Sequence, residues 1–181
     1  TEVFADLHTL VPVRQKPTGP VQTFTIDSTS VREPVTMSSD DAAGILLRFS
    51  NGARATISIS QISSGRKNSI NWEISGPDGS LAFDSENPEQ LWIGHRGRAN
   101  EVLHKDPGML SPDAARTAFY PGGHVEGFSE TFRGLFERVY EDINNGTQSN
   151  SYPTFADGVK SLEITDAIAQ SSKNSAWVKI T

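Results

Sequence analysis

Cysteine is absent from this chain, and methionine occurs only twice. The lack of cysteine excludes a disulfide scaffold, a thiolate zinc site and a cysteine nucleophile. No apolar run approaches the roughly 20 residues that a membrane span needs. Basic residues are the minority, 16 Lys and Arg against 22 Asp and Glu, for a formal net charge of −6. Nucleic acid needs a basic face that neutralises phosphates, so this balance argues against it as a partner. The four histidines, at 8, 95, 104 and 124, are too far apart in sequence for a zinc motif. A Gly-x-Ser-x-Gly nucleophile elbow is also missing.

Aromatic side chains are present and well spread: three Trp, nine Phe and three Tyr in 181 residues. That is enough for one domain with a real core, and it is not a disorder signature. The chain starts at Thr1-Glu2-Val3-Phe4, without Met or a signal-peptide layout. It enters a strand pattern at once, so we expect a piece of a longer protein.

The first two-thirds read as strands. Val3, Ala5, Leu7, Val11 and Val13 alternate with mostly polar neighbours, the period-2 pattern of a half-buried strand. Residues 15–42, with Pro17, Gly19, Pro20 and Pro34, read as a loop with one short strand at 21–26. Ala43, Ile45, Leu47 and Phe49 face Ala53, Ala55, Ile57 and Ile59 if the loop between them is Ser50-Asn51-Gly52. A two-residue loop would set apolar against polar, so a type I turn with Gly52 in a left-handed bulge is expected. Ile70, Trp72 and Ile74 match Leu81 and Phe83 only across an even-length loop, which Gly76-Pro77-Asp78-Gly79 supplies. Further strands are expected at 91–93 and, weakly, at 101–104, whereas 95–118 as a whole has no clear pattern and suits a flexible loop over a cleft.

Two helices follow. Val125, Phe128, Phe132, Leu135, Phe136, Val139 and Ile143 recur at three- and four-residue steps, and Asn144-Asn145-Gly146 stops them. Thr154 as N-cap and Asp157 three residues later form a capping box for a helix to about Ser172. Ala176, Val178 and Ile180 close the chain as a strand. The fold class is therefore α+β: an open, predominantly antiparallel β-sheet with helices packed on one face. The other sheet face, lined by Thr56, Ser58 and Ser60, is either solvated or an oligomer interface.

Candidate chemistry is sparse. Gly94-His95-Arg96-Gly97 follows a strand but does not open a helix, so it fails as a dinucleotide loop. The acid pairs Asp40-Asp41 and Glu141-Asp142 are read as solvated faces rather than hydrolase carboxylates. His124 follows Tyr120-Pro121-Gly122-Gly123 and is expected to open the Phe-rich helix. A helix N-terminus offers unpaired N–H groups, glycines admit a ligand, and an imidazole can bond a sugar hydroxyl; simple capping or packing is the alternative. Arg66 and Asn68, in the loop 63–68, can bind hydroxyls or a carboxylate, or simply be solvated.

Two runs, Tyr120-Pro121-Gly122-Gly123-His124-Val125-Glu126-Gly127-Phe128 and Tyr152-Pro153-Thr154-Phe155-Ala156-Asp157-Gly158, stand a helix apart. A second helix then ends in Ser171-Ser172, with Trp177-Val178 beyond it. Gly65-Arg66-Lys67-Asn68 and Ile74 to Leu81 precede them. In order and spacing these pieces resemble the C-terminal half of Gfo/Idh/MocA oxidoreductases. The resemblance implies a glyceraldehyde-3-phosphate-dehydrogenase-like C-terminal domain over residues 1–181. It also implies a separate N-terminal Rossmann domain that binds NAD or NADP, and a sugar, inositol or related polyol in the cleft between them.

By the same comparison His124, Arg66 and Asn68 contact substrate, while Phe155 and Asp157 lie near the nicotinamide. The proton-transfer Lys, Asp and His of the family lie in motifs that this sequence lacks, so no catalytic residue and no bound cofactor is expected in this chain alone. A homo-oligomer through the Thr/Ser face and a cytoplasmic location complete the expectation. The competing expectations are a non-catalytic carbohydrate-binding or scaffold domain, and a relative that senses a ligand without catalysis.

Overall fold

The computed structural model describes residues 1–22 and 29–180. Most of the short strand expected at 21–26 lies outside the described residues. The chain divides into two compact units, one made of 1–64 and 154–181, the other of 65–153.

The first unit holds a four-stranded antiparallel sheet and a two-stranded ribbon. The sheet is built from β1 (Glu2–His8), β4 (Ala42–Arg48), β5 (Arg54–Ser60) and β10 (Val178–Lys179), in the order β10-β1-β4-β5. The expected turn forms as the side-chain pattern requires. Gly52 has φ +92°, its N–H donates to the Phe49 carbonyl at 3.1 Å, and the Phe49 N–H donates to the Ala53 carbonyl at 3.1 Å. Ile45 then faces Ile57, Leu47 faces Ala55, and Ala43 faces Ile59.

Helix α3 (Phe155–Asn174) packs on this sheet, and Val3, Ala5, Ile45 and Ala167 form the buried centre. Its N-terminus has the expected capping box, with Asp157 accepting from the Thr154 N–H at 2.7 Å. Because β10 is short, β1 would leave backbone donors unpaired. The hydroxyls of Ser171 and Ser172 accept from the amides of Ala5 and Leu7 at 2.9 and 3.0 Å, which satisfies them.

The loop expected over 15–42 is not wholly a loop. β2 (Val13–Pro17) and β3 (Arg32–Thr36) pair as an antiparallel ribbon, with Gln15 opposite Pro34. Its prolines hid it, because proline reads as a strand breaker; a two-stranded ribbon has only edge strands, where a missing N–H is tolerated. Asp41 is not on a solvated face either. It is 2% exposed, accepts from the Val11 amide at 2.7 Å and pairs with Arg14.

The second unit is a meander, β6 (Asn71–Ser75), β7 (Gly79–Asp84), β8 (Gln90–His95) and β9 (Glu101–His104), in that order. The Gly76 N–H donates to Gly79 at 2.8 Å, and Trp72 opposes Phe83 while Ile74 opposes Leu81. This is the apolar alignment that an even loop demands. Helix α2 (Phe128–Asn145) ends at Gly146, with φ +62°. Its buried face differs from the expected stripe. Leu135 and Val139 are half-buried and Asp142 is buried, whereas Phe128, Phe132, Phe136 and Ile143 are exposed. Residues 95–118 are built as β9, a 3-10 turn at Pro107–Met109 and the one-turn α1 (Pro112–Ala115), rather than a featureless loop. Proline sets the first position of both short helices, and the side chains of Asp106 and Ser111 cap them.

Candidate functional site

Three charged side chains organise the second unit's site. Lys105 directly follows β9, and its own N–H donates to the Glu89 carbonyl at 2.8 Å. Its side chain is 14% exposed. The ammonium hydrogen-bonds Glu126, donates to the His124 carbonyl at 2.9 Å and lies 3.3 Å from Glu89 Oε2. Glu126, 8% exposed, accepts from the amides of Phe119 at 2.9 Å and Tyr120 at 2.7 Å. The Glu126 N–H in turn donates to Glu89 Oε1 at 2.7 Å.

The electrostatics fix the protonation states. Burial pulls Lys105 toward a lower pKa, but hydrogen bonds and charge from Glu126 and Glu89 outweigh it, and the net shift is upward. Burial pushes Glu126 up, yet the Lys105 contact and the two amides win, and its carboxyl lies below the usual range. Both groups are therefore charged at neutral pH. The cluster ties together the backbone at Phe119, Tyr120 and His124.

Beside it opens a pocket of about 540 Å³, with Phe83, Leu110, Ala114, Phe119, Leu135 and Tyr152 among its walls and Lys105, Glu89 and Glu126 on its border. Asp142 supports its far side. It accepts from Thr147 at 2.7 Å, from the Ser149 amide at 2.8 Å and from the Ser149 hydroxyl at 2.9 Å, and it also bonds Tyr152. The reading of Glu141-Asp142 as a solvated pair thus holds for exposed Glu141, and Asp142 is structural.

His124 does not open α2. It lies in a turn four residues earlier, exposed, with its N–H donating to the Pro121 carbonyl at 3.2 Å and Gly123 next to it at φ +83°. The helix starts at Phe128 because the backbone at Gly127 is not helical; Glu130 accepts from the Gly127 N–H at 2.8 Å, and Glu89 accepts from the Glu126 N–H.

Arg66 is exposed and paired with Glu86, and Asn68 is exposed two residues further on. No hydrogen bond or ion pair among the described residues joins either of them to the His124 turn. In the first unit, Phe155 is 99% exposed, and Asp157 spends its carboxylate on Thr154. That bonding with the Thr154 amide and hydroxyl holds its pKa down.

Sequence reasoning missed Lys105 and Glu89, and noted Glu126 only as part of a motif. The signal was faint: a lysine directly after a weak strand, and a glutamate between Val125 and Phe128. Nothing in periodicity pairs residues 21 or 37 positions apart.

Among the described residues no helix is long and apolar enough to cross a membrane, and no group of three His, Cys, Asp or Glu side chains could hold a metal. Gly94-Gly97 leads from β8 toward β9, so these residues do not form the strand–glycine–helix cradle that a dinucleotide pyrophosphate needs.

Comparison with known proteins identifies the domain. Residues 13–180 match the model of the oxidoreductase family C-terminal alpha/beta domain, Gfo/Idh/MocA type. Levoglucosan dehydrogenase of Pseudarthrobacter phenanthrenivorans is 27% identical over 151 residues, which is 78% of this chain and 36% of that enzyme. A levoglucosan dehydrogenase solved with NADH and levoglucosan superposes with TM-score 0.79 at 26% identity, over 99% of this chain and 44% of the other. An oxidoreductase domain protein from Kribbella flavida gives 0.79 at 28%, over 99% and 44%. The chain thus spans less than half the length of these relatives. With its antiparallel sheets, its capped helices and a family match over nearly its whole length, this chain belongs to the Gfo/Idh/MocA oxidoreductases and is their C-terminal α/β domain.

Proposed function

We propose that this chain is the substrate-binding and oligomerisation domain of an NAD(P)-dependent dehydrogenase acting on a sugar, inositol or related polyol. The similarity along the whole chain to an enzyme solved with NADH and levoglucosan carries this reading. In it, a Rossmann domain outside these residues supplies the nicotinamide and the proton-transfer groups. Hydride exchange is the chemistry of that nicotinamide, and we assign none of its steps to residues of this chain.

What this chain supplies is binding. His124, exposed on its turn, offers an imidazole that donates to or accepts from a sugar hydroxyl. Arg66 and Asn68 add donors on an exposed loop. Phe155, fully exposed beside the capped start of α3, offers an aromatic face on the nicotinamide side, and Asp157 holds that helix start in place. The sheet face bearing Thr56, Ser58 and Ser60, with Leu46 opposite Thr56 and away from Val3 and Ala5, would join subunits. A cytoplasmic location accompanies this reading.

The test is kinetic. In the complete oxidoreductase, reduction of NAD or NADP by a panel of sugars and polyols is followed by absorbance. His124→Ala should raise KM for the best substrate by about tenfold, as expected for loss of one polar substrate contact. Failure of the complete protein to turn over any sugar while still binding one would favour a non-catalytic carbohydrate-binding domain.

A further inference from the structure

We propose that Lys105 is the positioning residue of the sugar site: its ammonium, clamped between two carboxylates, holds the His124 carbonyl and sets where the imidazole stands. This rests on the reading of His124 as a substrate contact.

The turn that carries His124 is poorly restrained by itself. Gly122 and Gly123 precede His124, and Gly123 sits at φ +83°. The described backbone gives His124 one short-range bond, to Pro121. Two glycines in that position leave the peptide free to swing. Lys105 removes that freedom. Its backbone is tied to Glu89, so the stem has a fixed origin. Its ammonium donates to Glu126 and to the His124 carbonyl, and Glu89 Oε2 lies 3.3 Å away as an ion-pair partner.

Glu126 completes the clamp from the other side. It gathers the amides of Phe119 and Tyr120, so the segment 119–126 closes around one ion pair. Both side chains are shielded from water, so salt screens the pair little. The proposed role is mechanical: Lys105 acts through the position of His124.

NMR of this chain tests the clamp, and kinetics of the complete enzyme test its purpose. Lys105→Met should shift the His124 ring Cε1–Hε1 resonance and speed amide exchange at Tyr120 by about tenfold or more. The resonances of α3 should stay in place. Glu126→Gln should move the same signals in the same direction. In the complete enzyme Lys105→Met should raise KM for the sugar about tenfold with kcat within a few-fold of the parent, and Lys105→Arg should recover part of the loss.

If Lys105→Met does not fold, Glu126→Gln and Lys105→Arg carry the same readouts. A parent-like His124 resonance and Tyr120 exchange in every folded variant overturns the clamp. A moved resonance with a KM that neither Lys105→Met nor His124→Ala changes overturns the proposal through the substrate reading instead.

Discussion

Asp142 draws the end of α2 and the residues after it onto a single carboxylate. The Thr147 and Ser149 hydroxyls, the Ser149 amide and Tyr152 all converge there, at a residue only 4% exposed. The bond from the Ser149 amide leads the causes that lower its pKa from 3.8 to about 2. A depressed folded pKa stabilises the fold above the unfolded value and loses that contribution as pH falls toward the folded value. Asp142→Asn should therefore lower the melting temperature near neutral pH. The difference from the parent should shrink as pH falls through the interval between 3.8 and about 2. Thermal melts across that interval check it; a constant difference down to the lower bound would refute the assignment. In sequence Asp142 looks like any acid beside Glu141. Whether an acid is solvated or buried depends on what folds over it, and that partner segment has no periodicity to announce it.

Elements were more legible, because turns and caps are local chemistry. Gly52 was expected in a left-handed bulge from the parity of the flanking apolar residues, and its φ of +92° agrees. Gly52→Ala should cost about 1 kcal/mol in urea unfolding, since an L side chain resists that conformation. The capping box at Thr154 and Asp157 was likewise readable three residues apart. Thr154→Ala should lower stability by about 1 kcal/mol, measured the same way. What stayed hidden at this scale has a physical cause. The β2–β3 ribbon contains Pro17 and Pro34, which argue against strands unless an edge is assumed. In α2, helical spacing identifies an apolar stripe but not which face meets the core. Phe132 and Phe136 remain exposed, and Leu135 and Val139 turn inward.

At the scale of the molecule, family membership rests on order and spacing of motifs, which a sequence displays fully. The local geometry around the candidate residues was less legible. The sequence singles out His124, but places it at the helix start; it lies four residues before α2, because the backbone at Gly127 is not helical. This chain alone should bind NADH more weakly than micromolar, because its described residues build no pyrophosphate cradle; calorimetry showing micromolar affinity would contradict that. Light scattering at high concentration should show association through the Leu46 face, and Leu46→Glu should reduce it. A monomer in both would remove the oligomer proposal.

The first unit is discontinuous in the chain: strands from residues 1–64 are completed by the helix and strand of 154–181. During synthesis the amino-terminal strands emerge first, yet Ala5 and Leu7 wait for the hydroxyls of Ser171 and Ser172, 166 and 165 positions later. Contacts so distant along the chain are slow to form. The inserted unit, whose residues are contiguous, is free of this delay and can form first. A released chain truncated before Thr154 should thus resist protease across 65–153 while 1–64 is still cut.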